Sequence, residues 1–145
     1  KSGSFEGFAS GGGIAQLAQM YVKEQLQMGH HVTWCPADKI STITAADVAQ
    51  AAATGDALAC RIYDTSATYL GRGLSIVIDL LNPEVIVIGS TYARNEKIMK
   101  PVMQRILDLE ALPGANAVCK VVPAQLGEQI GDYAALSVAS NLMDH

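Results

Sequence analysis

The residues that the pattern most favours as ligand contacts are small residues that follow apolar runs. Gly89, Ser90 and Thr91 come directly after the run 85–88, and small residues at the carboxyl end of a strand let a nucleotide approach the backbone. Gly127 and Gly131 follow a second apolar run in the same way. If the two strands are parallel, both sets lie at one edge of a sheet and predict a ligand site there. The alternative is that these glycines only form turns.

Two further segments near the start of the chain could carry chemistry. Glu6 is a carboxylate between Phe5 and Gly7 in a glycine-rich stretch, and by pattern alone it is typical of a solvated loop acid. The segment 10–13, Ser-Gly-Gly-Gly, precedes a predicted helix and is similar to a phosphate cradle, because helix N-termini attract anions. It lacks the Gly-Lys-Ser/Thr ending of a P-loop and follows no strand, so a flexible helix entrance is the alternative.

Catalytic and metal-binding patterns are not found at any useful spacing. No Ser/His/Asp or Cys/His set can be assembled from the sequence. His30-His31 and Cys35 come closest to a metal-ligand cluster, but their loose spacing indicates a solvated loop. We therefore predict neither a catalytic residue nor a metal ligand within this chain.

Composition excludes several classes of protein. The 145 residues are half hydrophobic and 17% charged, which predicts one domain, 1–145, with a sizeable core. The net charge of −4 comes with ten scattered basic residues, so we expect no direct contact with nucleic acid. No apolar run is long enough to span a bilayer, which predicts no membrane association. Three widely spaced cysteines favour a reducing, cytoplasmic location.

The first half of the chain is predicted to be helical. Residues 1–13 look like a loop, and hydrophobic spacing predicts a helix over about 14–28. Thr44, with Asp47 three residues later, is similar to a capping box that opens a short alanine-rich helix ending at 54–55.

A long helix is predicted from Asp56 to the Asn82-Pro83 pair, since the residue before proline is pushed out of helical geometry. Gly71 and Gly73 interrupt it at a cost of about 1 kcal/mol each relative to alanine, so we expect another element to pack closely there. The apolar stripe of this helix is formed by Leu58, Ile62, Leu70, Leu74, Val77 and Leu81.

The second half alternates strands and helices. The run 85–88 has no polar alternation, as expected of a central parallel strand covered on both faces. A helix over about 96–109, a turn at 113–114, a strand over 117–122 and a last helix over about 132–143 follow. This order predicts an α/β domain with a parallel βαβα unit packed on long helices. Because two central strands need neighbours, we expect the chain to be part of a larger protein.

Four segments, read together, resemble the C-terminal half of the ROK family, which comprises repressors, open reading frames and sugar kinases. They are SGSFEGFASG, AAATGDALA, LGRGLSIVIDLLNPEVIVIGS and LGEQIGDYAAL. The family patterns are GxxGCLExYASG, A-x-x-GD-x-x-A, an LG-x-G helix leading to NPE-x-I-V and a glycine pair, and a closing LG-x-x-A-G-x-x-GAA. The likeness runs nearly end to end and in order, and its specificity comes from the four segments together.

The resemblance implies an actin-like, ribonuclease-H-like fold of two lobes that close over ATP and a hexose. The family transfers a phosphoryl group from Mg²⁺-ATP to a sugar hydroxyl, and it commonly forms dimers. By this likeness Glu6 would bind the sugar. The ATP-binding positions would be Gly89, Ser90, Thr91, Gly127 and Gly131.

This sequence departs from the family pattern at several positions. Ser4 stands where the last cysteine of the structural zinc site is usual, and serine is a poor zinc ligand, so zinc is doubtful here. Ser90 replaces the second glycine of the pair beside the nucleotide, and Ala134 replaces a glycine of the closing motif. We expect both changes to narrow the nucleotide pocket.

Parts of the family's catalytic apparatus are not in this chain. The phosphate-binding D-x-G-x-T segment, the catalytic aspartate and the Glu-x-Gly-His sugar motif are missing. Phosphoryl transfer depends on such groups, so we expect these 145 residues alone to have no useful kinase activity. Two alternatives stay open for the parent protein: an ATP-dependent hexose kinase similar to glucokinase, or a sugar-sensing, dimerising repressor. A purely structural lobe is a third.

Overall fold

A computed structural model describes residues 3–125, together with residues 129, 132, 133 and 135–137. Within these residues the elements are α1 (Phe5–Ala9), α2 (Gly11–Gln27), a 3₁₀ helix (Ala37–Thr42), α3 (Ala45–Ala53), α4 (Ala57–Leu81), β1 (Val85–Ile88), α5 (Ser90–Glu110), α6 (Pro113–Val118) and β2 (Lys120–Pro123). The predicted last helix, about 132–143, lies mostly outside the described residues. None of the helices in this part of the chain combines the length and apolarity needed to cross a bilayer.

The sheet consists of β1 and β2, which pair in parallel from Val85 opposite Lys120 to Ile88 opposite Pro123. The predicted parallel pairing is therefore confirmed, and α5 and α6 form the connection between the strands. Coverage on both faces is not seen in the described part, because Val85 and Val87 are 51% and 63% exposed. Further strands that would complete this sheet stay a prediction.

The central helix α4 contacts α1, α2, α3 and α5, so it organises the hydrophobic core. Ile62, Leu70 and Leu74 of the predicted stripe face this core and are buried. The stripe is wrong at its end, where Val77 and Leu81 are exposed. With 3.6 residues per turn, the buried face continues instead from Leu74 to Ile78, one turn further on. The buried core is completed by Ile14, Leu17, Val22, Val48, Tyr63, Met99, Met103 and Leu107.

Helix boundaries in the middle of the chain follow the predicted signals. Thr44 and Asp47 form the capping box: the Thr44 backbone N–H donates to Asp47 Oδ2 at 2.8 Å, and the Asp47 N–H donates to Thr44 Oγ1 at 3.3 Å. Asp56 caps α4 by accepting the Ala59 N–H at 2.9 Å. The long helix ends at Asn82, which has a left-handed φ of 45°, as the Asn-Pro pair predicts.

Four boundaries differ from prediction. The predicted loop over 1–13 is wrong for its described part, residues 3–13, which contains α1 and the first turn of α2. Pro113-Gly114 begins α6 rather than forming a turn, since proline is well suited to the first position of a helix. Consequently β2 begins at Lys120 rather than at residue 117. Helix α5 begins at Ser90, six residues before the predicted start.

Candidate functional site

The carboxyl ends of the two strands lie side by side. The Ala124 N–H donates to the Ile88 carbonyl at 2.9 Å, and a Cβ on Gly89 would be 3.8 Å from the Ala124 Cβ. The chain after β2 therefore leaves the sheet beside Gly89, as parallel pairing requires. Gly127 and Gly131, which were predicted to converge here, lie outside the described residues.

Gly89 is also the N-cap of α5, so this helix begins directly after the end of β1. No side chain caps this helix N-terminus among the described residues. Ser90 adopts a left-handed φ of 50°, a conformation that costs a non-glycine residue about 1–2 kcal/mol. This is the position where the family pattern has glycine, so the serine is strained here. Thr91, the next residue, is buried.

The corner between α1 and α2 meets the first turn of α5. Ser10 caps α2 by accepting the Gly13 N–H at 3.0 Å, and Gly11 begins the helix. A Cβ placed on Gly11 would lie 3.1 Å from Thr91 Oγ1, so an alanine here would require this side chain to shift by a few tenths of an ångström. The segment predicted as a loop cradle is thus a capped helix start, and it adjoins Thr91.

A cavity of about 470 Å³ opens beside this contact. Its volume falls within the range of about 300–1,000 Å³ typical of small-molecule sites. The N-terminal ends of α2, α3 and α5 all contribute to its wall, and each brings the positive end of a helix dipole. The lining residues are Gly11, Ala45, Ala46, Ala49, Thr91, Arg94 and Asn95.

Two polar residues of α5 complete the cavity wall one turn beyond Thr91. Asn95 has non-helical backbone angles, φ −123° and ψ 24°, and kinks the helix. Its side-chain Nδ2 donates to the Thr91 carbonyl at 2.9 Å. Arg94 also lines the cavity, and its side chain is exposed.

The α3 side of the cavity is anchored by Tyr63. This fully buried side chain donates its hydroxyl to the Ala45 carbonyl at 3.1 Å, so α4 holds the first residue of α3 in place. Burial raises the pKa of Tyr63 to about 12. The neutral phenol is therefore the form that the folded protein favours.

Ionisation of the buried Tyr63 phenol should lower the free energy of unfolding at alkaline pH. The pKa rises from 10.0 to about 12 on folding, so the phenol stabilises the protein fully below pH 10.0 and loses that effect toward about 12. Tyr63→Phe should cost about 1 kcal/mol at neutral pH, because one hydrogen bond is lost. Denaturant unfolding of both proteins at neutral pH and between these two pKa values should show a smaller alkaline loss in the variant. Equal losses in the two proteins would contradict the assignment.

Glu6 lies in the first turn of α1 and is exposed. Helix α1 is held against α4 by two contacts: Ser66 Oγ donates to the Phe8 carbonyl at 2.7 Å, and the Phe8 and Tyr69 rings stack with centroids 3.8 Å apart. The Ser10 N–H donates to the Glu6 carbonyl at 3.1 Å, which joins Glu6 to the α1–α2 corner. The predicted apolar loop around Glu6 is therefore wrong, because this carboxylate is on a short helix that packs against α4.

Ser4 has a structural role in place of metal binding. Its Oγ accepts the Gly7 N–H at 3.1 Å and caps α1. A neutral hydroxyl used in this way does not fit a zinc site, which requires thiolate, imidazole or carboxylate ligands. Across the described residues, no three His, Cys, Asp or Glu side chains are clustered as metal ligands.

The sequence alone did not identify Arg94, Asn95 or the alanines of α3 as part of a site. Alanine carries no chemical signal, and its role here is to leave space. Arg94 and Asn95 could have been found from a correct start of α5, because they lie three and four residues after Thr91 and so share its helix face. The early helix start was itself hidden by Ser90, which needs a left-handed backbone.

The described residues form a mostly helical fold with a small parallel sheet, and a cavity lies beside the first turns of α2, α3 and α5. Residues 1–141 match the ROK family. The chain therefore belongs to the ROK family, as the sequence motifs predict.

Similar proteins in this family include both enzymes and repressors. The chain is 34% identical over 132 residues to a glucokinase of Halalkalibacterium halodurans, covering 90% of this chain and 39% of that protein. It is 29% identical over 141 residues to the DNA-binding transcriptional repressor Mlc of Escherichia coli, covering 97% of this chain and 32% of that protein. The chain thus spans between about a third and two fifths of these relatives.

The similar solved structures also include both a kinase and a transcriptional regulator. A ROK family glucokinase from Streptomyces griseus, in complex with glucose and AMPPNP, superposes with a TM-score of 0.72 at 19% identity, covering 89% of this chain and 42% of that one. A ROK family transcriptional regulator, a homologue of Escherichia coli Mlc, has a TM-score of 0.64 at 30% identity, covering 85% of this chain and 29% of that one. The fold of the described residues is therefore that of ROK proteins, mostly helical with a small parallel sheet.

Proposed function

We propose that this chain is the nucleotide- and sugar-binding C-terminal part of an ATP-dependent hexose kinase with an actin-like fold. The observation that carries the proposal is the cavity of about 470 Å³ beside the first turn of α5, the helix that follows β1, where three helix N-termini meet. A nucleotide combines a flat apolar base with an anionic tail. The alanine wall of α3 suits the base, and the helix N-termini suit the phosphates.

Each residue has a specific part in this proposal. Gly89, Ser90 and Thr91, with Gly127 and Gly131 after β2, are the proposed ATP contacts, and Glu6 is the proposed sugar ligand. A carboxylate paired with sugar hydroxyls makes charge-assisted hydrogen bonds, which are roughly twice as strong as neutral ones. Mg²⁺-ATP would supply the phosphoryl group. The residues of this chain would bind and orient the two substrates, while the catalytic aspartate and phosphate loop are not among them.

The test uses the full-length protein that contains this chain. We expect isothermal titration calorimetry to detect AMPPNP and a hexose, and a coupled assay to detect turnover of ATP with glucose or a related sugar. The 145 residues alone should show no turnover. Absence of nucleotide binding by the full-length protein would overturn the proposal.

Paired variants separate the two binding sites. Glu6→Gln should weaken sugar binding by about tenfold or more, because hydrogen bonds to a charged group contribute about 1.5–3 kcal/mol. Ala49→Leu should weaken nucleotide binding by filling the cavity, while sugar binding is retained. The matched controls are Glu24→Gln in the second half of α2 and Ala53→Leu at the exposed end of α3, and both should bind normally. If Glu6→Gln and Glu24→Gln bind sugar equally well, Glu6 is not the sugar ligand.

The second candidate is the sugar-sensing, dimerising lobe of a ROK repressor. It is favoured by the 29% identity to Mlc along 97% of the chain and by the 30% identity to a solved ROK regulator. The left-handed Ser90 also favours it, since a side chain at this position narrows the approach to Gly89. A repressor would bind sugar without turning over ATP, would be a dimer by size-exclusion chromatography, and would release operator DNA when sugar is added.

A further inference from the structure

We propose that Asn95 selects adenine over guanine in the cavity beside Thr91, an inference that rests on the proposed nucleotide site. Asn95 lines this cavity, and its backbone departs from helical geometry at the same place. A kink within a helix removes regular backbone hydrogen bonding, and here the side chain supplies a replacement by donating Nδ2 to the Thr91 carbonyl at 2.9 Å. The amide is thus held in one orientation.

This orientation leaves a hydrogen-bond acceptor for a ligand. Only the NH₂ group of an asparagine amide can donate to a carbonyl, so a rotated amide would place two oxygens against each other. The Oδ1 atom has no partner among the described residues. Within a largely apolar cavity, the one fixed side-chain amide therefore presents an acceptor that a bound group can satisfy.

The two purine bases differ at the atom that would meet such an acceptor. Adenine has a donor at its exocyclic N6 amino group, and guanine has the acceptor O6 at the same position. An amino group would pair with Oδ1, whereas O6 would oppose it and leave both oxygens unpaired. A site built to hydrogen-bond a substrate group discriminates strongly against an analogue that lacks it, because the buried partner is left unsatisfied.

The other lining residues do not favour guanine at this position. Thr91 Oγ1 can donate or accept, so it distinguishes neither base. Ala45, Ala46 and Ala49 offer only shape. Arg94 has donors that O6 could accept, but its side chain is exposed and already makes an interaction within the protein.

The experiment compares Kd values for ATP and GTP in the full-length protein. Wild type should bind ATP at least about tenfold more tightly, which corresponds to about 1.4 kcal/mol. Asn95→Leu keeps the branching pattern of the side chain but has no polar atoms, and it should bring the two Kd values within about twofold. Asn95→Asp sets a carboxylate oxygen against the Thr91 carbonyl in place of the Nδ2 donor, so the acceptor loses its fixed orientation and the preference for ATP should be smaller than in wild type. Because both nucleotides carry the same phosphates, the ratio of Kd values cancels any general effect of the added charge.

A control variant and a nucleotide analogue complete the design. Asn116 lies on α6, outside the cavity, and its side-chain amide donates to Asp108 Oδ1 at 3.0 Å. Asn116→Leu removes this amide and should leave the ratio of the Kd values for ATP and GTP unchanged. N6,N6-dimethyl-ATP cannot donate from N6, and it should bind wild type about as weakly as GTP does. This arm decides the question even if Asn95→Leu does not fold.

Each outcome has a definite consequence. If ATP and GTP bind wild type equally, or if GTP binds more tightly, the role of Asn95 is wrong and the proposed function stands. If N6,N6-dimethyl-ATP binds as tightly as ATP, the role of Asn95 is also wrong. If neither nucleotide binds, the proposed function fails and this inference fails with it.

Discussion

Replacing Gly13 with alanine is expected to destabilise the protein by about 1–3 kcal/mol, the usual range for overpacking a closely packed site. A Cβ at this position would overlap the backbone carbonyl of Gly7 and would lie 2.8 Å from the Glu6 carbonyl oxygen. Both obstacles are main-chain atoms of α1, so no side-chain rotation can relieve the overlap. Helix α1 would have to move away from α2 and α4.

Gly12→Ala is the matched control, one residue earlier in the same helix. Its new Cβ would meet only Ser10 Oγ, at 3.9 Å, which is an ordinary contact. This variant should be stabilised by up to about 1 kcal/mol, because alanine has the higher helix propensity. Chemical denaturation of the two variants beside wild type tests the prediction, and equal free energies of unfolding would contradict it.

The same pair also bears on the proposed sugar ligand. Because Glu6 belongs to the helix that Gly13→Ala displaces, the folded variant should lose sugar affinity together with stability. Gly12→Ala should bind sugar like wild type. Normal sugar binding by a destabilised Gly13→Ala protein would indicate that the position of α1 does not control the site.

Local signals were sufficient wherever hydrogen bonding within a few residues determines the structure. The Thr44–Asp47 capping box and the Asn82-Pro83 helix end depend on neighbouring residues alone, and both are as predicted. The start of the chain was mispredicted because five glycines lower helix propensity there. In the folded protein, Ser66 and the stacked Tyr69 ring supply tertiary contacts that outweigh this local preference.

For the candidate site, the sequence predicted a strand end but not the cavity beside it. Small residues after an apolar run correctly placed Gly89 at a strand end. The cavity wall comes from α2, α3 and α5, which meet only through tertiary packing such as the Tyr63 hydrogen bond to Ala45. Glycine was also the informative residue for packing, since a missing Cβ at Gly11 leaves room for Thr91. Hydrophobic periodicity in the sequence cannot predict such a close approach between segments that are far apart in the chain.

The close packing predicted at the glycines of α4 leads to the second large effect. Gly71 faces α5, where an added Cβ would lie 2.8 Å from the Ile106 Cβ and 2.9 Å from the Met103 carbonyl oxygen. These atoms belong to the backbone of α5 or are directly attached to it. Gly71→Ala should therefore separate α4 from α5 and cost about 1–3 kcal/mol of stability, in spite of its gain in helix propensity.

Gly73→Ala provides the comparison within the same helix, two residues further along. Its Cβ would overlap only the Phe5 ring, which is 51% exposed and can rotate away. Both substitutions gain the same helix propensity of about 1 kcal/mol, so any difference between them measures the obstacle alone. We expect the melting temperature to fall for Gly71→Ala and to change little for Gly73→Ala. Because α5 carries Thr91 and Asn95, a folded Gly71→Ala protein should also bind nucleotide more weakly. If the stability of Gly71→Ala is unchanged, the prediction is wrong, and α4 and α5 can adjust their spacing.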